Sequence, residues 1–267
     1  ILNYFAYSNQ RFKGIHSQSR ITFGTIYFPI GYFIITVCFW QYTELIIISL
    51  SILTISDPIA SYIGENTSNN NEFVIWEDKK TVKGTAAFFI ASTVIIFFIA
   101  QLLFDFSYIY LLFFTFFTAI GATTAEITSS KGSDNLSIPI ISILFMLGFL
   151  EAIPSVSLDL TSILFSEKLL LIYLITVLFY IAYRLNTLSL DGLFGGMIMG
   201  TLIILLGFEY HLMCMAIFFI LSSLLSKVLK RASFYRSKGS KRDIVQVYAN
   251  GGIALLICII GHFNNDS

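Results

Sequence analysis

An all-α, polytopic transmembrane helix bundle of about nine spans is the fold class this sequence predicts. Three observations carry the expectation. Hydrophobic residues make up 56% of the 267 and charged residues only 12%, against roughly 25% charged in soluble domains. The apolar residues, 27 Phe among them, collect in runs of about 20, the length that crosses ~30 Å of hydrocarbon. When those runs alternate across a bilayer, the basic residues fall almost wholly on one side.

Taken in order, the runs predict spans at about 21–41, 44–64, 84–104, 107–127, 135–152, 167–185, 190–207, 210–229 and 244–262. The seventh is weakened by glycine and the ninth by Gln246 and Asn250. One side then receives the N-terminal segment and the loops at 65–83, 128–134, 186–189 and 230–243. With the helix-end residues Arg184 and Lys227, it holds fifteen of the sixteen Lys and Arg. Lys168 falls opposite, with Glu44, Asp105, Glu151, Asp159, Glu167 and Glu209. The positive-inside rule makes the basic side cytoplasmic. The formal net charge is zero, so no nucleic acid or other polyanion partner is implied. Cys38, Cys214 and Cys258 each sit alone in an apolar run, a pattern of packing residues and not of a disulfide framework or metal ligands. No secretory signal pattern precedes the first span. The start at Ile1 and the tail Asn264-Asn265-Asp266-Ser267 read as the ends of a fragment.

Three polar clusters interrupt the apolar pattern, all on the basic side. Charge near a bilayer is costly and is therefore a functional pointer. The first is Ser56-Asp57-Pro58, inside the second run. Ser61 and Gly64 follow Asp57 at i+4 and i+7, on one helix face. Pro58 removes a helical donor and loosens the carbonyl four residues back. A structural Asp–Lys pair is the plainer alternative. The second cluster is Lys79-Lys80-Thr81-Val82-Lys83-Gly84-Thr85, after an Asn-rich loop. Lysines suit phosphate oxygens, and a glycine at a helix start lets free amides approach an anion. Anchoring to anionic lipid fits the same residues equally well. No Walker-type Gly-x4-Gly-Lys-Ser/Thr pattern is present. The third cluster is Glu126 with Gly132-Ser133-Asp134-Asn135. Two carboxylates on adjoining helix ends can share magnesium with phosphate oxygens; Asp134 can equally be a helix cap.

Together these clusters resemble the dolichol kinase and phytol kinase family, membrane enzymes that phosphorylate isoprenoid alcohols with CTP or a related nucleotide. Four blocks match in order over residues 20 to about 150. They are Arg20-Ile21-Thr22-Phe23-Gly24 with Phe28-Pro29-Ile30-Gly31; Ser56-Asp57-Pro58 through Ala60 and Gly64; Lys79-Lys80-Thr81-Val82-Lys83-Gly84-Thr85; and Glu126 through Asp134-Asn135-Leu136 to Pro139. The Lys-Lys-Thr stretch is also similar to phosphatidate cytidylyltransferases. An Arg/Lys…His segment usual in the family does not appear, and His16 reads as an ordinary loop histidine. From about residue 187 the chain resembles a second membrane family, which includes phytyl-phosphate kinase. That match rests on Gly192, Gly196 and Gly200-Thr201, on Ser222-Ser223-Leu224-Leu225-Ser226-Lys227, and on Lys241-Arg242-Asp243 with Gln246 through Asn250-Gly251-Gly252. The family's following Asp-Thr-x-Ala-Ser-Glu-type segment does not appear. By themselves, the glycines at four-residue spacing read as close helix packing, and the basic stretch 227–243 as a solvated or lipid-facing loop.

The resemblances imply two modules, 1–186 and 187–267, and the transfer of phosphate from CTP to a lipid-embedded isoprenoid alcohol, with magnesium as cofactor. They imply Asp57, Asp134 and Glu126 as catalytic residues, the two aspartates also as metal ligands. Lys79, Lys80, Thr81, Gly84, Thr85, Ser61, Gly64 and Asn135 would serve the nucleotide. Cytidylyl transfer onto a lipid phosphate is a second enzymatic reading. A non-enzymatic transporter is a third, because carboxylates in spans also suit a cation or proton path.

Overall fold

The computed structural model describes residues 23–66, 72–76, 78–153, 166–207, 209–229 and 241–265; side chains at 209, 222–229 and 265 are outside that description. Arg20, Ile21, Thr22, His16 and most of the basic loop before Lys241 also lie outside it. Among the described residues every predicted span is a helix. They are α1 (Gly24–Cys38), α2 (Thr43–Glu65), α3 (Val82–Leu103), α4 (Tyr108–Ile127), α5 (Asp134–Ala152), α6 (Glu167–Arg184), α7 (Leu190–Leu206), α8 (Glu209–Leu229) and α9 (Ile244–Asn265). Five of them, α2, α3, α4, α5 and α9, are long and apolar enough to cross a membrane. The segments Gly24–Cys38, Leu190–Leu206 and Tyr210–Leu221 are apolar but shorter, and α6 carries Glu167, Lys168 and Arg184.

The stretch between α2 and α3, expected as a polar loop, contains an antiparallel hairpin. Strand β1 (Glu72–Ile75) pairs with β2 (Asp78–Thr81), in the register Glu72↔Thr81, Phe73↔Lys80, Val74↔Lys79 and Ile75↔Asp78. Helix α2 is not uniform. Ile52–Ser56 form a π-helical turn directly before Asp57 and Pro58. Proline supplies no N–H and crowds the carbonyl four residues back; a wider turn there relieves both demands.

The chain separates into two compact units. One comprises residues 1–106 and 111–146, the other 107–110 and 147–267. The division falls inside α5, whereas the resemblance changes at residue 187. In the first unit, glycines set the closest approaches. A Cβ on Gly84 would stand 3.1 Å from the Ala60 carbonyl and 3.3 Å from the Gly64 Cα, so α2 and α3 cross at bare backbone, as small residues allow. A Cβ on Gly31 would lie 2.8 Å from the Asn135 carbonyl. Pro139 offers that carbonyl no helical N–H, and α1 closes over it.

In the second unit, Gly196 faces the Phe179 ring and Gly200 faces Ile175, each leaving 2.8 Å to a Cβ. These glycines bring α7 onto α6, the packing their spacing predicts. Residues 187–191 and 241–244 are laced together. The Arg242 N–H donates to the Thr187 carbonyl at 2.9 Å, and the Ser189 N–H donates to the Arg242 carbonyl at 3.0 Å. Asp191 accepts from the Ile244 N–H at 3.3 Å. Lys168 donates to the Leu205 carbonyl at 2.8 Å and so satisfies an end carbonyl of α7.

Candidate functional site

The site is assembled from four chain segments of the first unit. Asp57 follows the π-helical turn of α2. Lys80 comes from β2, Glu126 from the end of α4, and Asp134 from the first turn of α5. Strand geometry sends successive side chains to opposite faces, and this divides the lysine pair. Lys80 points inward, with only 16% of its side chain exposed, and Lys79 points outward at 64%.

The Lys80 ammonium lies 2.6 Å from Glu126 Oε1, 3.0 Å from the Glu126 carbonyl and 3.3 Å from Ser129 Oγ. An ammonium has three N–H groups, so all three are engaged. Ser129 Oγ also donates to the Glu126 carbonyl at 2.6 Å. Glu126 is 6% exposed. Its second oxygen, Oε2, is buried with no hydrogen-bond partner, as are Ser56 Oγ and Thr85 Oγ1. Buried polar atoms are almost always bonded to protein or water, so these three atoms are open to a ligand or solvent group. Asp57 lies within electrostatic reach of Asp134, Glu126 and Lys80.

Asp134 is the first residue of α5 and does not make the bond of a helix cap. Its Oδ1 accepts from the Asn135 N–H at 2.8 Å and from Asn135 Nδ2 at 3.0 Å, and it lies in the same electrostatic cluster as Asp57. Asn135 Nδ2 also reaches the Gly132 carbonyl at 3.3 Å. Gly132 has φ 88°, and a Cβ there would meet the Gly24 amide nitrogen at 2.6 Å. Phe23 N–H donates to the Lys131 carbonyl at 2.8 Å. The first and fourth sequence blocks are therefore one contact surface.

The remaining expected residues take other positions. Thr81 caps α3 by accepting from the Gly84 N–H at 3.1 Å. Gly64 and Gly84 form the α2–α3 crossing. Ser61 is exposed and lies 3.3 Å from Glu65 Oε1. Lys79 pairs with Glu72 at 3.3 Å. Two participants had no signal in the sequence. Ser129 lies in a Thr-Ser-Ser stretch that reads as a plain turn. Asp78, whose Oδ2 accepts from the Lys131 N–H at 2.8 Å, fixes the hairpin to the α4–α5 turn.

No three His, Cys, Asp or Glu among the described residues form a group that could hold a metal alone. Magnesium does not require one, since it takes one or two carboxylates and completes its shell with phosphate oxygens and water. Asp57 and Asp134 would supply the two carboxylates for an ion that arrives with phosphates.

In the second unit a cavity is lined mainly by apolar groups, including Phe179, Met199, Gly200 and Phe219, with Arg242 and Asn250. The Arg242 guanidinium lies 5.5 Å from the centre of the Phe219 ring, and burial lowers its pKa from the usual guanidinium value.

Residues 173–266 match the family described as Integral membrane protein DUF92. The match runs from within α6 to α9. Searches of curated proteins and of solved structures give no match. The matched family and the apolar helices together make this a multi-pass integral membrane protein. The Lys80–Glu126 site lies outside the DUF92 stretch.

Proposed function

We propose that the protein is a membrane kinase that transfers the γ-phosphate of CTP, or a related nucleotide, to the hydroxyl of a prenyl alcohol such as phytol or a polyprenol. The observation that carries this reading is the buried Lys80–Glu126 pair, with one carboxylate oxygen unpartnered and Asp57 and Asp134 in electrostatic reach. Phosphoryl transfer is mostly positioning and charge neutralisation, and this cluster is built for both. The positive-inside distribution supports a cytoplasmic position for it, where nucleotide is available.

In this mechanism the prenyl chain lies among apolar helices with its hydroxyl at the basic face. Lys80 exchanges one of its three acceptors for a phosphate oxygen. That exchange loosens Glu126, whose Oε2 takes the hydroxyl proton as the alcohol oxygen bonds to the γ-phosphorus. The bond from that phosphorus to the β–γ bridging oxygen breaks, and CDP leaves with the electron pair. Bound through Asp57, Asp134 and phosphate oxygens, magnesium would supply charge neutralisation. Thr85 and Asn135 complete the polar wall. In the second unit, the apolar cavity with Arg242 suits the handling of a lipid chain, and a second phosphorylation there would extend the monophosphate to a diphosphate.

The test is CTP-dependent labelling of phytol, farnesol and long polyprenols in membranes that contain the protein. Release of CDP supports the kinase; release of pyrophosphate supports cytidylyl transfer instead. Asp57→Asn and Lys80→Ala are expected to abolish labelling, and undiminished activity in both would overturn the site assignment.

One observation favours transport as the competing function. Ser92, Thr115, Thr118 and Ser142 are buried at 0–1% exposure, and their hydroxyls have no partner. On α3 and α5 they lie seven residues, about 10 Å at 1.5 Å rise, beyond Thr85 and Asn135. Such a polar interior suits a cation or proton path. Ion flux in proteoliposomes without nucleotide would support that function over the kinase.

A further inference from the structure

The hairpin turns two chemically different faces in opposite directions. Inward, Ile75 is fully buried and Lys80 reaches Glu126. Outward, Val74 is 61% exposed, and its cross-strand neighbour Lys79 is exposed beside it. Two residues separate the paired Ile75 and Asp78. The favoured two-residue turns demand positive φ, which Gly or Asn normally supplies. Here Trp76 occupies that position at φ 56°, a left-handed conformation that is unusual for a bulky side chain. The residue is still 40% exposed. The turn thus holds an indole at the tip where glycine would be the easier choice.

What the outward face meets follows from its neighbours. The hairpin joins α2 to α3, both long and apolar enough to span the membrane, so it is held at the bilayer boundary. Tyr62 and Ile63, near the end of α2, and Val82, at the start of α3, are also exposed. Indole rings favour the headgroup level, and a lysine there gains from anionic lipid.

We propose that the outer face of this hairpin docks on the headgroup layer of the bilayer. Trp76 and Val74 lie in the interface and Lys79 sits on an anionic lipid phosphate. The two adjacent lysines therefore have different partners: Lys79 has the half-exposed Glu72 and, in the membrane, exchanges it for a lipid phosphate, while Lys80 has the internal carboxylate. Because one strand carries both, lipid contact also steadies Lys80 against Glu126. The inference needs only the membrane fold and is independent of the kinase reading.

Trp40 and Trp76 are the only two tryptophans, which makes the test direct. A Trp40→Phe protein in nanodiscs of phosphatidylcholine, with or without phosphatidylglycerol, reports Trp76 alone. The expected result is quenching by lipids spin-labelled near the headgroup, protection from aqueous acrylamide, and a blue shift when phosphatidylglycerol is added. Lys79→Gln, a change at an exposed side chain, is expected to weaken the preference for phosphatidylglycerol about fivefold. As a check on the Trp40 substitution, the difference spectrum between wild type and Trp76→Phe should show the same lipid response. A water-like emission, freely quenched by acrylamide and indifferent to lipid, would overturn the proposal. So would a blue shift produced by CTP in phosphatidylcholine alone, which would make the outer face a site for soluble anions.

Discussion

Lys80 and Glu126 are individually costly and jointly stable. A buried pair with one member removed leaves an uncompensated charge, which costs about 3–5 kcal/mol, whereas replacing both with apolar residues is often nearly neutral. Lys80→Ala is therefore expected to destabilise the protein by about that amount, and Lys80→Met with Glu126→Leu to recover most of it, both measured by thermal unfolding in detergent. The two proteins should be equally inactive, which separates loss of chemistry from loss of fold. Glycines give a second contrast. At Gly132, φ is 88° and Gly24 backbone fills the space a Cβ would need. Gly132→Ala is expected to cost at least about 1 kcal/mol. Gly252, inside α9, has nothing within 4 Å of a built Cβ, and Gly252→Ala is expected to stabilise by about 0.5–1 kcal/mol. The same unfolding assay measures both.

At the scale of elements, the helices were legible because their signal is length and composition. Among the described residues, each of the nine apolar runs coincides with a helix to within a few residues. The hairpin was hidden. Each strand has four residues, and β2 reads Asp-Lys-Lys-Thr, with no apolar alternation to mark it. That omission also concealed the opposite facing of Lys79 and Lys80, since a loop reading carries no period. The four site blocks were visible as motifs, but two of their glycine pairs turned out to join backbone to backbone, something that depends on which helices cross. Pro58 could be read as a helix disturbance, and the structure gives it a form in the π-helical turn Ile52–Ser56. Pro58→Ala restores the missing N–H and should allow a regular α-turn, which rotates Asp57 away from Lys80. The expected outcome is equal or higher thermal stability with sharply reduced lipid phosphorylation; unchanged activity would show that the wide turn does not position Asp57.

For the molecule as a whole, the distribution of basic residues predicts one orientation in the membrane. In a background without Cys38, Cys214 and Cys258, Lys79→Cys and Lys168→Cys should be labelled by impermeant maleimide from opposite sides of sealed vesicles. Labelling from the same side would remove the alternation on which the basic–acidic asymmetry rests. Three carboxylates, Asp57, Glu126 and Asp134, share this corner of the first unit with one lysine that already has three acceptors. On the kinase reading, a divalent cation held by Asp57 and Asp134 and the phosphate it accompanies would each raise the affinity of the other by the same factor, so that the pair would be held more tightly than either ion alone.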